Sequence, residues 1–319
     1  MILEKLLRHT DILVETPSSA SAVGAGLGYG ALRDTNPGLI VTSITNFGLG
    51  GPYGEYKAPD IVALAMGGLL GATGDPDAPP VMPFGNQAHF IVSNLAAVAT
   101  LTALHHRDVT GQGQHIDVSM QACIASTLEV ILPFYDLKGI TLKRMGSRLF
   151  ATGPGKTGNI HACKDGYACC SVLAPPLKWL EAEGQAEDLI EDQRLWTDWV
   201  YRSARESHIF EVFDRFLQTR TKREIWEGNR KFRGNWGPLN NVKEVCEDPH
   251  LAERGFFVPV EHPEMGETFS YPGSSMKIEG MAPVRKRAPL IGEHNGEIYG
   301  DRLGFSKEEM VTLASSGVI

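Results

Sequence analysis

The sequence predicts an α/β fold: an open parallel sheet flanked by helices and interrupted by a smaller α+β unit. Three observations predict it. Two short apolar runs, Asp11–Glu15 and Leu39–Ile44, read as parallel strands buried on both faces; the second is rich in β-branched residues. Helix-length apolar segments, Ala58–Gly71 and Phe90–His106, come after them. A glycine turn, Thr110-Gly111-Gln112-Gly113, then leads into a third strand, His115–Ser119, so strands and helices alternate.

The elements follow in order. Asn36-Pro37-Gly38 is a turn that introduces the second strand, and Met120–Leu137 reads as a helix after the third. From Gly146 to Gly158 the texture is that of a loop, and Asn159–Leu173 carries a hairpin signal around Lys164-Asp165-Gly166. Ile209, Val212, Phe213, Phe216 and Leu217 share one face at helical spacing. Thr221 with Glu224 forms a capping box, and Asp248-Pro249 starts a short helix that Gly255 ends. Ser306 with Glu309 caps a last helix carrying Met310 and Leu313 and stopped at Gly317. This places a large domain at 1–145 plus 276–319, and a smaller α+β domain at 146–275. There is no internal repeat.

With 319 residues, 42% of them hydrophobic, the chain has ample material for a core. A net charge of −8 argues against a nucleic-acid or anionic-membrane partner, which needs a basic face. The apolar stretches Ile61–Gly74 and Phe90–Leu104 are too short to span a bilayer and read as buried helices. The N-terminus has no apolar signal region, and the five cysteines show no zinc spacing, so a cytoplasmic protein with reduced thiols and no metal is expected.

Few chemical signals survive inspection. Gly153-Pro-Gly155-Lys156-Thr157 suggests a phosphate loop, but the required glycine is replaced by Phe150 and Asn159–Cys163 reads as strand, so the triphosphatase reading is rejected. What remains is a flexible glycine loop that permits close approach of a ligand. Gly48-Leu-Gly50-Gly51-Pro52 follows the second strand, where open α/β sheets hold ligands; a tight turn and a ligand-holding turn are both open readings. His105 and His106 end a helix, where imidazolium complements the dipole. His89 follows a glycine-bearing loop and precedes a long apolar helix, and Lys57 lies at a similar loop-to-helix transition.

Several stretches together resemble the family III CoA-transferases, the carnitine and bile-acid CoA-transferase group: Thr35–Val81, Ala103–Gln121, Cys163–Tyr167, Asp248–Gly266 and Ala288–Met310, in family order over nearly the whole chain. The resemblance implies a Rossmann-like sheet domain and a smaller domain joined into a ring, with two chains interlocked as a homodimer or as a heterodimer with a paralogous subunit. It implies coenzyme A thioesters as substrates, moved to a carboxylic acid, with no covalently bound cofactor, metal, nucleic acid or membrane. It further implies a CoA pocket formed by Thr16, Lys57, Met120 and the loop of Gly153, Gly155 and Gly158, with Lys57 as a point charge for a phosphate. Tyr135 and Trp236 are candidates to shape the acyl pocket.

Two departures from the family pattern follow from the same comparison. The chain opens at what resembles the second half of the family's first region, so a further N-terminal segment is expected to be absent or supplied elsewhere. The family's nucleophilic aspartate, which carries acyl and then CoA in a ping-pong cycle, corresponds to His89. Imidazole accepts an acyl group but cannot form the CoA thioester. Three readings remain: a CoA-transferase with His89 in an altered role, a non-catalytic subunit paired with an aspartate-bearing paralogue, and a CoA-ester isomerase, racemase or lyase.

Overall fold

The computed structural model describes residues 2–16, 28–129, 131–146, 159–171, 175–281 and 285–319. A short helix α1 (Ile2–Leu7) leads into β1 (Ile12–Glu15), followed by α2 (Tyr29–Thr35) and β2 (Ile40–Thr45). Helices α3 (Asp60–Met66), α4 (Leu69–Ala72) and α5 (Gln87–Thr110) precede β3 (His115–Ser119), and α6 (Met120–Ser126) and α7 (Ile131–Lys138) follow it. The three strands form one parallel sheet in the order β1-β2-β3, with Ile12 beside Ile40 and Val41 beside His115. Strand alternation explains how β2 is buried on both faces. Leu39 and Val41 pack with Leu7 and Leu32 of α1 and α2, while Ile44 packs with Ala88, Val92 and Ala96 of α5. Thr100 donates to its own helix at Ala96, so the Thr42 hydroxyl is left to donate to Thr100 at 2.7 Å, which ties sheet to helix.

Several helices differ from the expected ones. The segment predicted as one helix over Ala58–Gly71 breaks at Gly67-Gly68. A Cβ on Gly67 would lie 2.5 Å from the Ile124 side chain, and Gly68 takes the left-handed φ of 91° that glycine alone adopts freely. The helix expected over Met120–Leu137 is likewise two, broken at Thr127–Glu129, where Glu129 has φ 39°. Helix α5 is longer than expected at both ends. His105 and His106 therefore lie a turn short of its terminus, which Gly111 caps in the left-handed conformation. At 24 residues α5 is long and apolar enough, by length and composition alone, to cross a membrane, contrary to the expected short span. It is also not a fully buried helix. The stripe Ala88, Val92, Ala96, Thr100 and Ala103 packs inward, while Phe90, Val98 and Leu101 are more than half exposed. Strand β1 lies at the sheet edge with Val14 exposed, so only β2 is buried on both faces as expected.

The middle of the chain carries its own core. Strands β4 (Ile160–Cys163), β5 (Gly166–Cys169) and β6 (Gly237–Pro238) form an antiparallel sheet. Helices α8 (Leu177–Ala182), α9 (Arg194–Thr197), α10 (Trp199–Ser203), α11 (Glu206–Gln218) and α12 (Lys222–Phe232) accompany it. The apolar face of α11 buries Ile209, Val212, Phe213, Phe216 and Leu217 as predicted, against Trp179 and Trp236. Thr221 and Glu224 form the predicted capping box. Helices α13 (Val242–Cys246) and α14 (Pro249–Glu253) follow, the second capped by Asp248. A hairpin of β7 (Phe257–His262) and β8 (Glu267–Pro272) comes next. A π-helical turn at Gly296–Arg302 leads to α15 (Lys307–Ser315), whose Ser306–Glu309 box is also as predicted. The C-terminal segment touches the start of the chain: the Lys5 ammonium sits 4.0 Å above the Phe305 ring.

Candidate active site at the carboxyl edge of the parallel sheet

The strands β1, β2 and β3 end side by side, at Glu15, Thr45 and Ser119. The carboxyl edge of such a sheet is where open α/β folds bind ligands. Thr16 stands exposed directly after β1. After β2, the turn Gly48–Pro52 is held from both sides. The Gly48 N–H donates to Thr45 Oγ1 at 2.8 Å, and the Leu49 N–H donates to the Asp117 carboxylate at 3.1 Å. Gly48 and Gly51 have φ near 90°, so the glycines serve a tight anchored turn. After β3, Ser119 caps α6 by accepting from the Ala122 N–H, which sets Met120 at the first helical position.

Met120 is buried, sharing one apolar cluster with Ala58, Ala63, Ala88 and Ile124. Lys57 precedes Ala58 and His89 follows Ala88, so both are chain neighbours of that cluster. Lys57 is exposed. Met120 belongs to that cluster and Lys57 and His89 flank it in the chain, while Thr16 stands just past the outer strand β1. Gly153, Gly155 and Gly158 lie outside the described residues. Trp236 is 1% exposed and packs edge-on to Phe213 within the core of the middle segment; Tyr135 is exposed on α7.

His89 lies within the first turn of α5, two residues past its start. The N-cap of that helix, Asn86, makes no side-chain bond to the exposed amides. Asp60, 29 positions earlier, takes over that role. Its Oδ1 accepts the His89 backbone N–H at 3.2 Å and lies 2.8 Å from His89 Nδ1. The positive end of a helix stabilises a carboxylate placed there, and Asp60 also occupies the first turn of its own helix α3. The Asp60 side chain is 8% exposed and that of His89 56%. Its other oxygen, Oδ2, is buried with no hydrogen-bond partner among the described residues. Sequence reasoning missed Asp60. The available signal was an acidic residue opening an apolar helix, but no local pattern shows which distant amide it reaches.

A second polar chain crosses the sheet. Ser43 Oγ donates to Glu15 Oε1 at 2.6 Å and lies 2.9 Å from His115 Nε2, whose ring stacks on Tyr29. Because the serine gives its hydrogen to the carboxylate, the order is the reverse of an activated nucleophile. Among the described residues, Glu187, Asp188 and His208 come close enough to hold a cation, but they are surface groups and Glu187 already pairs with Arg215.

An open parallel sheet with a polar site on its carboxyl edge defines the class of α/β folds that hold ligands over the strand ends. The chain belongs to CoA-transferase family III, whose sequence profile matches residues 1–295. The succinyl-CoA:(R)-benzylsuccinate CoA-transferase subunit BbsE of Thauera aromatica is 30% identical, covering all of this chain and 78% of that protein. Formyl-CoA:oxalate CoA-transferase of Streptomyces avermitilis is 32% identical, covering all of this chain and 80% of that protein. A solved CaiB/BaiF family protein from Brucella suis superposes with a TM-score of 0.78 at 25% identity, over 94% of this chain and 78% of that one. Family membership makes this a protein of acyl-CoA:carboxylate CoA transfer, with CoA thioesters as the substrate class.

Proposed function

We propose that this chain binds an acyl-CoA over the carboxyl edge of β1–β3 and presents its thioester to residue 89, for exchange of CoA with a carboxylic acid. The observation that carries the reading is the placement of His89 in the first turn of α5, clamped by Asp60, above the cluster that also seats Ala58 and Met120. The exposed Lys57 beside that cluster supplies a cation for a CoA phosphate. Titration calorimetry with acyl-CoA and free CoA tests the pocket, and absence of binding would remove it. Transfer assays on wild type and His89→Asp test the chemistry: the variant is expected to transfer faster, because aspartate restores a covalent CoA carrier.

A second reading has its own support. In it the chain pairs with an aspartate-bearing paralogue and contributes binding surface to a shared enzyme. The Thauera relative is named as a subunit. The outward face of α5, with Phe90, Val98 and Leu101 more than half exposed, is an apolar surface suited to a second chain. Light scattering at micromolar concentration tests association, and co-expression with paralogues tests whether transfer needs the partner. A clean monomer would refute the pairing.

A further inference from the structure

The clamp between Asp60 and His89 fixes a tautomer as well as a helix end. With Asp60 as a carboxylate, which only accepts, the hydrogen in the 2.8 Å contact belongs to Nδ1, and the neutral ring keeps its lone pair on Nε2. Asp60 forms a buried base beneath the ring, while the imidazole extends into solvent. A buried carboxylate behind an imidazole is the base-orienting half of a hydrolytic site; it holds the ring and stabilises the imidazolium that forms. No serine, threonine or cysteine side chain is hydrogen-bonded to His89 among the described residues, and water reaches the ring directly.

We propose that the Asp60–His89 pair gives this chain a CoA-thioester hydrolase activity, with His89 as general base and Asp60 as positioning residue; the proposal rests on the acyl-CoA binding proposed above. Nε2 takes a proton from water as the water oxygen bonds to the thioester carbonyl carbon, and the carbonyl π pair moves onto oxygen. When the tetrahedral adduct collapses, the carbon–sulfur bond breaks and the imidazolium returns its proton to the CoA sulfur. The products are a carboxylic acid and free CoA, and His89 and Asp60 end as they began.

The test incubates the full chain with acetyl-CoA, succinyl-CoA and benzoyl-CoA without acceptor acid and follows free CoA by chromatography, with binding measured in parallel by calorimetry. The expected result is CoA release above the buffer rate, with one oxygen of the acid drawn from 18O-labelled water. His89→Gln, at an exposed side chain, should lower kcat by about 10²-fold or more, the range for loss of a general base. Asp60→Asn keeps an acceptor for the His89 amide, so circular dichroism should stay native while kcat falls by roughly 10-fold or more at unchanged KM. Failure of all three esters to bind would overturn the acyl-CoA reading and this proposal with it. Binding without release above buffer, or release undiminished in His89→Gln, would overturn the hydrolase alone. An acyl group trapped on His89 by mass spectrometry would overturn the general-base role.

Discussion

Gly67→Ala tests the packing that holds Asp60 in place. The new Cβ would sit 2.5 Å from Ile124 Cγ2 and 2.6 Å from its Cβ, where carbon atoms normally rest at about 3.5–4.0 Å. Ile124 is fully buried among Ala63, Leu64, Ala88 and Met120, so it has no open side to retreat into. Overpacking of this kind costs about 1–3 kcal/mol. Alanine returns at most ~1 kcal/mol of helix propensity, and less at a position that closes α3 rather than lying inside it. The net loss is about 1–2 kcal/mol, and a urea slope of roughly 1–3 kcal/mol/M turns that into a midpoint lowered by about 0.3–2 M. Gly71→Ala is the control, because a Cβ there meets nothing within 4 Å and its φ is ordinary. Urea melts of both variants should separate them, with Gly67→Ala weakened and Gly71→Ala unchanged or slightly strengthened. Equal midpoints for the two variants would refute the steric argument.

Lys57→Ala should weaken acyl-CoA binding by up to about 5-fold in calorimetry, since an exposed cation is worth about 0–1 kcal/mol, and the difference should shrink at high salt. Burial pushes the Cys170 thiol far above its usual range, whereas Cys169 and Cys246 are exposed. Iodoacetamide at pH 8 should therefore label Cys169 and Cys246 in the native protein and reach Cys170 only after unfolding; native labelling of Cys170 at the rate of Cys246 would contradict this. The Arg287 guanidinium, with the Leu290 N–H, holds the Glu293 carboxyl down from 4.5 to about 2. A depressed folded value means the pair's contribution is present above pH 4.5 and is lost as pH falls through about 2. An NMR titration should place the Glu293 midpoint there, and Arg287→Ala should raise it.

What the sequence made legible was local. The strand of Leu39–Ile44 is apolar on both faces and is buried on both. The Thr221–Glu224 and Ser306–Glu309 boxes are complete within four residues, so pattern alone placed them. Helix breaks were less visible. Gly68 ends α3 by turning left-handed, and residue 67 has to be glycine because Ile124, nearly sixty residues away, occupies the space of a side chain. Of the site, residue 89 was found through resemblance, while its partner Asp60 was hidden by sequence distance. Met120 was read as facing a pocket, and its burial in the cluster beneath the site depends on where α6 docks.

The amide bond from residue 89 to Asp60 separates scaffold from chemistry. The carboxylate grips the backbone N–H of residue 89, a group every residue except proline possesses. The position therefore works as a socket: the bond that fixes the start of α5 is made by the backbone and does not itself depend on the side chain plugged in. Exchanging the side chain there alters the chemistry offered at the sheet edge while the backbone bond that fixes the helix start is kept. A protein built on such a socket can change its chemistry while keeping its scaffold.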